Sequence, residues 1–333
     1  MEPQKDPNPN YLPYPPKSQS TDDEIDLSEL LKALWKGKWI IIATTFVFAV
    51  GSVIYALSLP NIYKADALLA PTETSNSGGL AKMAGQLGGL AALAGVNLGG
   101  AESSQADLAV QVMRSRQFIG NFITKHDLLV PLMASKSWDL SQNELIFNKD
   151  IYNIEKAEWL RAPEGLREAK PSAQEAYDVF YNDIMDVGQD KDSGLYKISI
   201  SHYSPYIAQQ WVKWLINDIN FVMRQRAISE ASQNLEYLNT QLEKTAVADM
   251  QSTFYKLIEE QTKSLMLAEA QEEFVFRTID PPTVPEVKST PNRALLCIMG
   301  TMLGTMLSVI YILLSLTLRK YRFDKTDENT IQS

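Results

Sequence analysis

WIIIATTFVFAVGSVIYALSL, residues 39–59, and ALLCIMGTMLGTMLSVIYILLSLTL, residues 294–318, decide the architecture of this chain. Neither stretch carries a charge. A helix rises about 1.5 Å per residue, so each stretch is long enough to cross a hydrocarbon core of about 30 Å. One lies near each end, and residues 60–293 are therefore expected to fold as a water-exposed domain on one side of a bilayer. The first stretch is read as a retained anchor. It follows a 38-residue leader, and it is longer than the apolar core of about 7–15 residues found in secretory signals.

The flanks set the expected orientation. Lys32, Lys36 and Lys38 precede the first stretch, and Arg319, Lys320, Arg322 and Lys325 follow the second. The inner flanks hold only Lys64, Lys288 and Arg293. The excess of positive charge outside the pair predicts cytoplasmic termini and a periplasmic central domain, anchored in a bacterial inner membrane. A net charge of −9 argues against nucleic acid as a partner. The single cysteine, Cys297, lies inside the second apolar stretch, which leaves the domain no disulfide framework and makes packing, within or between subunits, its source of stability.

Residues 1–23 are proline-rich and polar, and are expected to be a disordered cytoplasmic tail. Asp22, Asp23, Glu24 and Asp26 then precede Leu27, Leu30, Leu31, Leu34 and Trp35 at helical spacing. Residues 24–38 thus read as an amphipathic juxtamembrane helix, with Leu34, Trp35 and Trp39 at the membrane interface. Residues 62–70 read as a strand. Residues 75–100 hold eight of the sixteen glycines among small and apolar residues, and read either as a flexible loop or as a loop meeting an apolar surface. Residues 104–125 read as a helix, 172–181 as a short helix, 184–187 and 195–202 as a hairpin around the turn 190–194, and 274–280 as a strand. Residues 130–170 give no clear pattern. The class is α+β.

Ser204-Pro205 is a helix start, a hydroxyl cap followed by proline at the first helical position. Neither glycine nor proline occurs from Tyr206 to Asp280. Apolar residues recur at helical spacing from Ile207 to Leu265, with a five-residue step between Leu242 and Val247. The favoured reading is one long projecting helix over about 205–272, longer than a compact core can cover. Two helices joined by a tight turn near Lys244 are the alternative.

Pro281, Pro282 and Pro285 are followed by Thr290-Pro291-Asn292-Arg293 and the second apolar stretch. The prolines predict a stiff extended connector. Gly300 and Gly304 form a GxxxG pair that flattens one helix face and lets another helix approach closely.

The run Pro282-x2-Pro285-x5-Pro291-x8-Gly300-x3-Gly304 resembles the C-terminal signature of polysaccharide co-polymerases, in particular the Wzz-type O-antigen chain-length determinants. The block from Asp23 to Leu30 with Leu34-Trp35 and Lys38-Trp39 is similar to that family's N-terminal block. Thr290-Pro291-Asn292 departs from the family's frequent Ser-Pro-Lys, and Arg293 supplies the nearest basic residue. The resemblance implies an α/β base, a long helix and a homo-oligomer. It also implies control of the length of a lipid-linked polysaccharide made by a Wzy-type polymerase. Pro282, Pro285 and Pro291 are expected to fix the angle between domain and helix, and Gly300 and Gly304 to mediate helix contact with a neighbour or the polymerase.

No catalytic, cofactor-binding or metal-binding residue is nominated, so the chain is not expected to be an enzyme. His126 and His202 are isolated in sequence, and no nucleophile-elbow or phosphate-loop motif occurs. Residues 319–333 are expected to be a short cytoplasmic tail, too short for the kinase domain carried by related exopolysaccharide co-polymerases. A co-polymerase for capsule or exopolysaccharide is the nearest alternative function. A two-helix periplasmic sensor or a membrane-anchored enzyme is more distant.

Overall fold

The computed structural model describes residues 34–72 and 105–331. The expected tail over 1–23, most of the juxtamembrane helix over 24–38 and the glycine-rich 75–100 lie outside the described residues. Two compact units form, one from Met1–Ser58 with Arg293–Ser333 and one from Leu59–Asn292.

The first unit pairs helix α1 (Lys38–Ser58) with a helix at the far end of the chain, Arg293–Ile331. By length and composition, Lys38–Ser58 and Arg293–Ser315 can each cross a membrane. Their outward side chains, among them Phe46, Ile54, Met302 and Met306, are exposed. Such a continuous apolar surface is one that water does not tolerate. The terminal helix continues to 331, past the end of the apolar run at Leu318.

In the second unit, β1 (Tyr63–Pro71) enters a four-stranded antiparallel sheet. Two helices follow the undescribed segment, α2 (Gln105–Met113) and α3 (Arg116–Lys125). The single helix expected over 104–125 is therefore divided. Ser115 is extended, and its hydroxyl accepts from Phe118 N, which restarts the helix. Arg114 turns to donate to Val187 O. Residues 130–170 form the short helix α4 (Leu129–Met133) and two small ladders, β2 (Ser135–Asp139) with β3 (Glu144–Phe147) and β4 (Tyr152–Asn153) with β5 (Glu158–Trp159). Helix α5 (Ala173–Val179), capped by Ser172, runs through a π turn into the hairpin β6 (Met185–Gln189) and β7 (Tyr196–His202). At the hairpin turn, Asp190 accepts from the amides of Ser193 and Asp192. These bonds hold its carboxyl below the usual aspartate range.

Helix α6 (Pro205–Lys244) starts where the sequence places it, with Ser204 Oγ accepting from Ile207 N. It is a long helix of 40 residues. The favoured span of about 205–272 is not one helix, however. The backbone is extended at Thr245 and Val247, and α7 (Ala248–Ala270) begins after them. Arg224 Nη1 donates to Gln271 O, so α7 runs back antiparallel along the second half of α6. The cause is the five-residue step after Leu242. Continuing the helix would rotate the apolar stripe away from its face, whereas two β-branched residues favour the extended backbone that reverses the chain. Gln251 Nε2 caps the turn by donating to Thr245 O.

Strand β8 (Phe276–Asp280) completes the sheet, in the order β6-β7-β1-β8. Ala65, Ala67 and Leu69 alternate inward on β1 and meet Ile198 and Ile200 of β7. Trp211, Val212, Leu215 and Ile219, from the first half of α6, are buried in the same core, along with Phe118 and Phe122 of α3. After Met223 only Ala231 of α6 is buried, so the second half leaves the core and depends on α7 for cover. The terminal helix, α8 (Arg293–Ile331), belongs to the first unit.

Candidate functional site

The first unit is built around a seam between α1 and α8. A Cβ added at Gly300 would lie 2.4 Å from Ser52 Cβ, and one at Gly304 would lie 2.7 Å from Phe48 Cβ. Neither distance is physically tolerable, so these two glycines are what lets the helices touch. The contacts Gly300 to Ser52 and Gly304 to Phe48 run in opposite directions along the two helices, making the pair antiparallel. The seam extends past the nominated glycines to Ser308 on α8 and Ala56 on α1, which are 2% and 1% exposed. Ser308 lies four residues beyond Gly304 and Ala56 four beyond Ser52. The small-residue spacing that marks Gly300 and Gly304 thus runs one step further on α8 and recurs on α1. Ser52 Oγ and Ser308 Oγ donate to carbonyls one turn back, at Ala49 and Thr305, so the seam leaves these hydroxyls satisfied. Arg293 Nε donates to Ala56 O at 3.1 Å and closes one end. Gly300 and Gly304 thus serve helix packing within the chain, with α1 as the helix that meets them.

Trp35 and Trp39 are 74% and 73% exposed. Residues 34–36 are helical, a turn at Gly37 separates them from α1, and Lys38 Nζ sits 5.1 Å from the centre of the Trp35 ring.

In the second unit the connector lies against the entry strand. Ile62 N donates to Thr290 O at 2.9 Å, and Ser289 N returns a bond to Ile62 O at 2.8 Å. Pro282 is buried, and its carbonyl accepts from Gln209 Nε2 of α6 at 2.9 Å. Pro285 and Pro291 are partly exposed. Each proline therefore lies on a stretch pinned to the body, not on a free linker.

The two histidines are not equivalent. His202 is buried at the end of β7. Its Nδ1 accepts from Ser204 N, and its Nε2 lies 3.3 Å from Pro131 O. Burial pushes its pKa down to about 4, against which those two bonds act in the opposite sense. It is held as a neutral structural side chain. His126, isolated in sequence, is not isolated in space. Its Nε2 is 2.9 Å from Asp218 Oδ2, Lys125 Nζ is 2.6 Å from the other oxygen, and its ring stacks on Trp214 at 4.3 Å. Lys125 ends α3 and His126 caps it, while Trp214 and Asp218 lie on α6, a long-range meeting that no local spacing reveals. Among the described residues no group of three or more His, Cys, Asp or Glu is placed to hold a metal ion. Among the basic residues of α6 and α7, Arg224 is half-buried beside Phe221, while Arg226, Lys244 and Lys256 are exposed.

A mixed α and β body, inserted between two membrane-length helices that pair through small residues, is the class the fold defines. Residues 23–126 match the family model Wzz, chain length determinant protein. The resemblance to Wzz-type co-polymerases read from the sequence is thereby shown over that stretch, which takes in the N-terminal block and ends before the proline–glycine run. No curated protein matches significantly. Among solved structures, a full-length bacterial polysaccharide co-polymerase is similar at 15% identity, over 89% of this chain and 99% of that one, with a TM-score of 0.36. A fragment of WzzB, a polysaccharide co-polymerase from Salmonella Typhimurium, is similar at 12% identity, over 69% of this chain and all of that one, with a TM-score of 0.28.

Proposed function

We propose that this chain is a non-enzymatic regulator of the length of a lipid-linked polysaccharide, with O-antigen as the polymer. It acts as a homo-oligomeric scaffold of the inner membrane beside a Wzy-type polymerase. The observation that carries this reading is the match of residues 23–126 to the chain-length-determinant family. Two helices long and apolar enough to cross a bilayer support the membrane placement. The flanking charges support cytoplasmic termini and a periplasmic body. Leu34, Trp35 and Trp39 then sit at the cytoplasmic interface, where amphipathic rings are favoured.

In this reading Pro282, Pro285 and Pro291 fix how the body joins α8, and Gly300 and Gly304 hold α8 to α1 so that the two helices act as one anchor. The pair presents its outer faces to lipid, to other copies and to the polymerase. The test is the lipopolysaccharide banding of a deletion strain, with and without the gene restored. A preferred length that disappears and returns is the expected outcome. Unchanged lipopolysaccharide bands with a changed capsule would move the function to that polymer, and no change in either would sink the reading.

A further inference from the structure

An open cleft of about 910 Å³ lies in the second unit between the end of α3, the middle of α6, the segment after α7 and strand β8. Its size falls in the range of about 300–1,000 Å³ usual for small-ligand sites. Three cations line it, Lys125, Arg224 and Arg277, and three anions, Asp218, Glu272 and Glu273. The lining is therefore highly polar yet formally neutral. A phosphate or nucleic acid would need a cationic excess, and a basic segment an acidic one. The balance fits an uncharged ligand rich in hydroxyls.

Phe221 stands at the rim and is 47% exposed. Lys125 Nζ and the Arg224 guanidinium lie 5.8 and 5.7 Å from its ring centre. Across Phe221 lies a second, more apolar cleft of about 410 Å³, which shares Phe221, Lys125 and Asp218 and adds Phe118 and Phe122. Asp218 is the one buried charged side chain among the described residues. Lys125 and His126 hold its two oxygens, at 2.6 and 2.9 Å. A carboxylate fixed from both sides, an exposed aromatic ring and planar amide and guanidinium groups thus converge where a polar trough meets an apolar one. A sugar ring carries the complementary pair of surfaces, with hydroxyls at its edge and C–H bonds on its faces.

We propose that this double cleft binds a short stretch of oligosaccharide. One sugar places its C–H face on Phe221, and hydroxyls are taken by Asn217, Arg224 and Arg277. The site deepens the function proposed above and rests on it, since it gives the chain direct hold of the polymer whose length it sets.

The test uses the full-length protein in detergent micelles. The probe is polysaccharide released by mild acid from the lipopolysaccharide of the strain that carries the gene, with dextran as the comparison glycan, and binding is read by calorimetry. Saturable binding of the released polysaccharide is expected. Phe221→Ala and Arg277→Ala should each weaken it about tenfold. Tyr237→Ala removes an exposed ring of the same helix outside both clefts, and should leave binding unchanged. Wild-type affinity in Phe221→Ala, or no binding by the wild type, overturns the site. So does a changed oligomer mass in Phe221→Ala by light scattering, which would make the cleft a contact between copies. The deletion banding is independent of these results. A length phenotype with no Phe221-dependent binding removes only the site, whereas an unchanged pattern removes the function beneath it.

Discussion

Asn220 does more for the second unit than its polar side chain announces. It lies on α6, 4% exposed, against the outer edge of β8, which is the edge strand of the sheet. Its Oδ1 accepts from Val275 N and Phe276 N, and its Nδ2 donates to Phe276 O, each at 2.9 Å. One amide thus stands in for a missing strand at the start of that edge. Asn220→Ala strands those backbone groups, and the expected cost is about 2–3 kcal/mol, seen as a Tm lower by several degrees in detergent. His202 gives a second expectation, with a definite sign. Folding lowers its pKa from 6.5 to about 4, so between those values the unfolded chain binds the extra proton. The stabilisation is complete above pH 6.5 and is lost as the pH falls towards 4, to a total of about 3 kcal/mol. Wild type should lose Tm across that window, and His202→Gln, less stable at pH 7, should show a shallower slope.

At the scale of elements, the seam between α1 and α8 predicts an asymmetry between its two glycines. Gly300→Ala places a Cβ against the Ser52 side chain, so it should destabilise the helix pair and shift polysaccharide length. Adding Ser52→Gly removes both close atoms, leaving Phe48 O at 3.8 Å, and should restore the wild-type pattern. Gly304→Ala meets Phe48 Cβ at 2.7 Å. Phe48→Ala retains that atom and should not rescue it. The measurement is lipopolysaccharide banding of the single and double variants, and rescue of Gly304→Ala by Phe48→Ala would contradict the packing described.

Much of this level is legible in the sequence, because its signals are local. The apolar runs, the Ser204-Pro205 start and the 190–194 turn each decide their structure within a few residues. The reversal after Lys244 is half legible. The five-residue step marks it, but only the return of Gln271 to Arg224 distinguishes a hairpin from a bent helix. The division at Ser115 is hidden because a serine in a helical pattern is as compatible with the interior as with a cap. The ladders of 135–159 are too short for periodicity to register. The meeting of Lys125, His126, Trp214 and Asp218 depends on how α3 and α6 pack, which no window of sequence contains.

For the whole molecule, the proposed topology predicts an accessibility pattern. With Cys297→Ser as background, a cysteine introduced at Asp192, in the turn between β6 and β7, should react with a membrane-impermeant maleimide once the outer membrane is permeabilised. A cysteine at Ser18 should react only after the inner membrane is lysed. Reaction of both at the first step, or of Ser18→Cys alone, would reject the orientation.

The bond between Ile62 and Thr290 has a mechanical meaning. The chain leaves the second unit for α1 and for α8 at that one pair, four residues past Ser58 and three before Arg293, and the ladder of β1 with β8 begins only at Leu68 and Asp280. If the two helices were drawn apart, the load would fall first on the Ile62 pair, because no rung between β1 and β8 lies between it and Leu68. An antiparallel ladder pulled from one end peels, with its bonds breaking in turn, whereas one loaded along its length resists with all of them together. The glycine seam is the strain relief, because helices that touch along Gly300 and Gly304 cannot begin the tear.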